Sequence, residues 1–171
     1  MPIEMNFFKR KHMRKSSINK FPEKGETIKI EEKMCDFNNH MNVVFYQHIM
    51  EKGGTQFYQD LGFNKSYLEQ GFSSFTLESN IRYLRELRLG QEATPYHRII
   101  KFNKKLIHYA VIIVSDSFQI SCFSEHVIAH IDMNIRKTAE MPQIFLDQLQ
   151  SMKIVHDRCG DLNVNIRLSI K

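Results

Sequence analysis

Apolar and polar positions along the chain recur with two different periods, and the periods divide it into elements. Over residues 27–34, Ile28 and Ile30 alternate with charged residues, which predicts a half-buried first strand. A polar stretch, 36–42, follows, in which Asn42 or Asn39 is placed to cap a helix running to about residue 60. Val43, Tyr46, Ile49, Met50, Gly53, Phe57 and Leu61 recur there at helical spacing. Val44 and Phe45 widen that stripe, so the helix is expected to be largely buried. From Gly71 onward the period becomes that of strands, at about 72–83, 92–102, 105–115 and 118–132. Asn103-Lys104 and Asp116-Ser117 mark tight turns, and such short connections require antiparallel neighbours. A helix is expected over about 142–152, with Ile144, Phe145, Leu149 and Met152 on one side. Finally Leu162, Val164, Ile166, Leu168 and Ile170 alternate strictly with polar residues. That run reads as an additional strand with one buried face, at an edge or reaching a partner subunit.

The order predicts an α+β domain in which an antiparallel sheet wraps around one long central helix. A helix apolar on so much of its surface needs cover on more than one side, which implies a second subunit. At 171 residues the chain is long enough for one domain with a full core. Its organisation is expected to be a basic arm over 1–25, the domain proper over 26–155, and a C-terminal extension over 156–171.

The net charge of +5 suggests nucleic acid until its location is considered. Residues 1–25 hold seven of the 24 basic side chains and two of the 19 acidic ones, so the body carries 17 of each. The charge belongs to an arm, expected to be a solvated tail, and a nucleic-acid partner is not predicted. Cys35, Cys122 and Cys159 include no C-x-x-C pair, which suggests neither a disulfide framework nor a zinc ribbon. The longest apolar run, 109–114, is too short to cross a bilayer, and no secretory signal is recognisable. A cytoplasmic protein with no membrane partner is the expectation.

The chemistry-bearing residues concentrate between the first strand and the helix, in Cys35-Asp36-Phe37-Asn38-Asn39-His40-Met41-Asn42. Asp36 is suited to activating water or attacking directly, Asn38 to donating and accepting, and His40 to orienting a carboxylate or moving a proton. Backbone N–H groups around His40 to Asn42, at the positive end of the helix, are candidate oxyanion donors. Taken as residue types alone, the same cluster is equally a capping loop. Glu51 adds an acid nine residues beyond Asn42. If buried, it must pair with an arginine such as Arg82 or Arg85, or else support His40 or the water. Tyr46, Phe45, Phe75 and Tyr83 fit a core, an acyl pocket or a cage for a quaternary ammonium. His126 and His130 share one face of a strand, with no third metal ligand evident.

The D-x-N-x-H-x-N segment, followed by Tyr46 and the helical acid Glu51, resembles the signature of hotdog-fold acyl thioesterases. The resemblance is closest to the thioesterase-like proteins associated with carnitine and betaine metabolism. It continues through Phe75 and Glu78, Tyr83-Leu84-Arg85-Glu86 with Gly90, Lys105 and His108, then His130-Ile131-Asp132 with Arg136 and Pro142, covering about residues 27–150. It implies a hotdog fold and an acyl-CoA thioesterase, with Asp36, Asn38, His40 and Glu51 catalytic and Asn42, Tyr46, Phe75 and Tyr83 binding substrate. It further implies a homodimer or a dimer of dimers, and no cofactor beyond the CoA of the substrate. Many such proteins have glycine before the histidine, where this chain has Asn39, the non-glycine type best suited to a left-handed turn. The rival activities are a hotdog hydratase and a non-catalytic acyl-CoA-binding protein. The hydratase pattern, D-x-N-P-x-H, sets its histidine five positions after the aspartate, whereas Asp36 and His40 are four apart.

Overall fold

A computed structural model of the chain describes Met13 and residues 15–171. In chain order the elements are β1 (Glu23–Lys24), β2 (Ile28–Lys29), α1 (Val43–Gly53), α2 (Thr55–Leu61), α3 (Lys65–Glu69), β3 (Phe72–Tyr83), β4 (Glu92–Phe102), β5 (Leu106–Ser115), β6 (Ile120–Asp132), β7 (Lys137–Thr138) and α4 (Gln143–Arg158). All strand pairs are antiparallel, in the order β1-β4-β5-β6-β3, with β2 also on β4 and β7 on β6. The β4–β5 turn follows from Asn103, whose Oδ1 accepts from the backbone N–H of Lys105 at 2.9 Å and of Leu106 at 2.8 Å.

The helices lie on one face of the sheet. There Ile107, Tyr109, Val111 and Ile113 of β5 and Cys122 and Ile128 of β6 pack with Tyr46, Ile49 and Met50 of α1, Phe57 and Leu61 of α2, and Phe145 and Leu149 of α4. The opposite face is covered too. Ala110, Ile112, Val114, Ile120 and Phe123 pack under Ile18 and Phe21, joined by Leu162, Val164 and Ile166. Cover on both faces explains why every residue of β5 after Leu106, and every residue of β6 before Asp132, is buried.

The four long strands form where the sequence places them. Elsewhere the structure corrects it. Only Ile28 and Lys29 of the run 27–34 pair with β4, and Glu32–Met34 turns into a 3₁₀ helix that drops Met34 into the core. The expected single helix over 42–60 is interrupted at Gly54, because Gly53 and Gly54 press against Pro95 and His97 of β4. Burial is one-sided: Val43 and Val44 remain 55% and 63% exposed. α4 extends past 152 to Arg158, since His156 is fully buried and accepts from the Ile99 N–H at 2.9 Å. The C-terminal run is not a strand, although its burial alternates as expected and Leu168 and Ile170 are buried. Its backbone bonds go to a side chain: Glu125 accepts from the N–H of Arg167 and of Leu168. Nor is the arm solvated throughout 1–25. Residues Lys15–Lys20 form a 3₁₀ helix, Ile18 and Phe21 are buried, and β1 pairs with β4. Lys9, Arg10, Lys11 and Arg14 lie outside the described residues.

Candidate active site

Asp36 to His40 form a loop closed by a bridge between Cys35 and Met41. The backbone N–H of Asp36 donates to the His40 carbonyl at 3.1 Å and that of Asn39 to the Asp36 carbonyl at 3.0 Å. Asn39 adopts φ 61°, the left-handed conformation expected of it. Asp36 Oδ1 accepts from the Asn38 N–H at 2.9 Å and lies 3.8 Å from His40 Nδ1. One carboxylate oxygen is thus fixed, and Asp36, 19% exposed at its side chain, can be reached from outside. Asn38 is exposed and His40 half-buried.

The loop delivers the chain into α1, whose cap is Asn42: its Oδ1 accepts from the Val44 N–H at 3.1 Å. The capping reading of this segment therefore holds at Asn42. Two expected oxyanion donors are occupied, as the Met41 N–H bonds the Leu87 carbonyl and the Asn42 N–H that of Met34. Among the described residues, the Val43 N–H, which precedes any helical acceptor, and the Asn42 side-chain amide stand at the helix start in the positive field of α1.

Residues 84–90 form the second wall. His40 and Arg88 make an antiparallel bridge, and the Tyr46 hydroxyl donates to the Arg85 carbonyl at 3.2 Å. Tyr46 and Tyr83 meet edge to face at 5.0 Å between ring centres. Burial, with the neighbouring Cys122, pushes the Tyr46 phenol up to about 12, and burial also raises Tyr83, so both stay neutral; of the two expected substrate contacts Tyr46 is buried at 3% exposure and Tyr83 is open at 41%.

Two candidates are not brought to this place. Phe75 is paired with Ala129, on the face of β6 opposite Ile128 and His130, and lies under the Arg136 guanidinium at 5.2 Å. It faces away from α1. Glu51 lies about 13 Å along the helix from Asn42, nine residues at about 1.5 Å each. It is exposed and accepts from Gln47 at 3.1 Å, while Arg82 pairs with Glu125 at 2.9 Å. Among the described residues Glu51 has neither an arginine partner nor a link to His40.

Polar residues inside the sheet-helix layer escaped sequence reasoning. The Tyr58 and Tyr109 hydroxyls are 2.6 Å apart, His126 stacks on Tyr109 at 5.1 Å, and its Nδ1 and Nε2 lie 2.9 and 2.8 Å from the hydroxyls of Ser79 and Ser124. Burial, then the charge of Glu51, holds Tyr58 up at about 12, and burial lowers His126 to about 4. Periodicity places His126 on one face with His130 but cannot supply cross-strand partners 47 residues away. Both ring nitrogens of His130 are engaged as well, Nε2 with the Tyr67 hydroxyl at 2.7 Å and Nδ1 with the Ala139 carbonyl at 3.0 Å.

An antiparallel sheet with α1 packed on one face and an acidic loop at that helix's start defines a hotdog-fold protein. The model of the thioesterase-like superfamily matches residues 30–149, and the chain belongs to that family. A bifunctional L-carnitine dehydrogenase/betainyl-CoA thioesterase of Agrobacterium fabrum is 24% identical over 117 residues, 68% of this chain and 24% of the relative. The chain thus spans about a quarter of the length of the curated relatives it matches. Among solved structures, a Staphylococcus aureus protein in complex with CoA superposes with a TM-score of 0.70 at 22% identity, covering 85% of this chain and 88% of that one. DHNA-CoA thioesterase from the same organism gives 0.71 at 14% identity, covering 81% and 95%.

Proposed function

We propose that the chain hydrolyses an acyl-CoA thioester with Asp36 as the reacting carboxylate. The observation that carries this reading is Asp36 itself: one oxygen held by the Asn38 N–H at 2.9 Å, His40 at 3.8 Å, and the start of α1 beside it. Asp36 takes a proton from water as its oxygen adds to the thioester carbonyl. The Val43 N–H and the Asn42 amide stabilise the oxyanion, the C–S bond breaks, and the CoA thiolate recovers the proton. Direct attack by Asp36 gives a mixed anhydride that water then opens, and this route needs the same carboxylate. No cofactor enters either route.

The reading includes a homodimer in the cytoplasm. β3 is a 12-residue edge strand, and an edge of that length and exposure needs cover. Phe37 at 93%, with Val43, Val44, Leu77, Tyr83 and Leu89, exposes apolar surface from the site to the edge strand, which a second copy pairing along β3 would bury. Three free cysteines suit a reducing compartment. The relative's name makes betainyl-CoA the first acyl group to assay, and Tyr83, 41% exposed and set edge to face on the buried Tyr46, offers aromatic surface to a quaternary ammonium. Asp36→Asn keeps shape and removes charge, and its activity on the best substrate should fall by at least about 10²-fold. A folded Asp36→Asn protein working at the wild-type rate refutes the assignment.

A further inference from the structure

Residues 160–171 lie beyond the stretch that the family model matches, and they are laid over the outer face of the sheet. This strap leaves α4 at Gly160, whose φ of 80° turns the chain. Leu162, Val164 and Ile166 pack on the cluster of Ala110, Ile112 and Phe123, and Leu168 and Ile170 pack on Val127 and Leu106. Its backbone is held by side chains of the sheet. The Arg98 guanidinium donates to the Gly160 carbonyl at 2.7 Å, Glu125 accepts from the Arg167 N–H at 2.9 Å and the Leu168 N–H at 3.0 Å, and Lys101 donates to the Ile170 carbonyl at 3.0 Å. Arg98 and Glu125 are only 6% and 0% exposed, and charges at that depth are costly unless answered. Arg98 also donates to the Lys20 carbonyl at 3.1 Å and stands 3.7 Å from Asp157, while Glu125 accepts from Arg82 at 2.9 Å. The backbone groups of the strap complete both sets.

Strand register makes the face beneath the strap complementary to itself. Arg98 of β4 and Glu125 of β6 both stand opposite Ala110 of β5, one on each side. A cation, a methyl group and an anion thus form one row across the sheet, about 9.6 Å from end to end at two inter-strand spacings. A two-fold axis running along β5, between two such faces, lays β4 of one copy over β6 of the other. Arg98 then meets Glu125 twice, and the small Ala110 sits at the centre, where the sheets approach. We infer that the strap takes the place of a second copy on this face: its backbone answers the groups that a second copy would answer by charge, and its apolar side chains cover the surface on which two sheets would otherwise pack. Assembly is thereby confined to the other surfaces of the molecule. The inference goes beyond the hydrolase reading and does not depend on it.

The test is the full-length protein carrying Val164→Asp, Ile166→Asp and Leu168→Asp, three changes that leave every strand and helix untouched. Hydrogen exchange at the Arg167 and Leu168 amides, faster than in the wild type by at least about tenfold, marks release of the strap. Sedimentation equilibrium should then give twice the wild-type mass, in a concentration-dependent manner. Adding Ala110→Lys to the released protein puts a cation at the centre of the proposed contact and should restore the wild-type mass. Arg167→Pro removes one N–H from Glu125 and no apolar side chain, so it serves where the triple variant does not fold, and it should raise the mass in the same direction. Rapid exchange with an unchanged mass overturns the inference. A doubled mass that survives Ala110→Lys overturns it as well, because the copies would then meet elsewhere.

Discussion

Asn39 and Glu125 each do what few other side chains can at their positions. A left-handed φ of 61° costs an ordinary residue about 1–2 kcal/mol. Asn39→Gly should therefore keep both melting temperature and hydrolysis, whereas Asn39→Val should lower stability by about 1–2 kcal/mol and displace Asp36 from His40. Glu125 is fully buried on the outer face of β6, bonded to Arg82 at 2.9 Å, to the Arg167 N–H at 2.9 Å and to the Leu168 N–H at 3.0 Å, with His108 Nε2 at 3.5 Å. Burial alone would raise its pKa, but His108, the two amides and Arg82 together hold it below the usual carboxylate value. A depressed acid contributes stability above its unfolded pKa and loses it as pH falls through the folded one. The C-terminal segment should accordingly loosen first on acidification from about pH 4.5 downward. Glu125→Ala leaves Arg82 without its carboxylate and should cost about 3 kcal/mol or more, with rapid hydrogen exchange at the amides of Arg167 and Leu168. Slow exchange at those amides in the variant would show that apolar packing alone secures the segment.

Among the elements, the junction of α1 and α2 depends on closeness to β4. A Cβ on Gly53 would stand 2.6 Å from Pro95 Cγ and 2.9 Å from the Glu26 carbonyl, and one on Gly54 would stand 2.5 Å from the Met50 carbonyl. Gly53→Ala should therefore lower stability by about 1–3 kcal/mol despite alanine's better helix propensity, as denaturant unfolding would measure. At the opposite end of α1, Val43 and Val44 stay exposed beside Asn42, where the proposed dimer would cover them. At the other end of the layer, His156 of α4 caps the irregularity between Ile99 and Lys101 and sits 2.9 Å from Glu23 Oε1, joining three segments distant in sequence.

For the molecule as a whole, buried neutral histidines set an acid limit. Burial lowers His97 and His126 to about 4 from 6.5. An unfolded chain then binds more protons than the native one between those values, so stability falls as pH drops from about 6.5 to about 4. The loss should reach about 3 kcal/mol for each histidine. His126→Asn should flatten the pH dependence of the melting temperature even where it lowers the temperature itself. Assembly is open to an equally direct test. Leu77, 57% exposed at the middle of edge strand β3, is where a lysine would oppose pairing of two copies, and Leu77→Lys should give a monomer of low activity. A dimer of undiminished mass and activity would place the interface elsewhere.

The sequence by itself determined the sheet and the acidic loop, because both are local. Alternation along 72–83 and 92–102, turn chemistry at Asn103, the cap at Asn42 and the left-handed Asn39 all depend on neighbours within a few residues. The same local signal was misleading where a distant group supplied the hydrogen bonds. Residues 162–170 alternate like a strand, but their amides find Glu125 and their apolar side the outer face of the sheet. Only tertiary structure decided that Phe75 faces away from α1, that Glu51 is exposed, and that Tyr58, Tyr109 and His126 meet inside. Spacing in sequence gives the face on which a residue stands, whereas strand register and the break at Gly54 determine what that face meets.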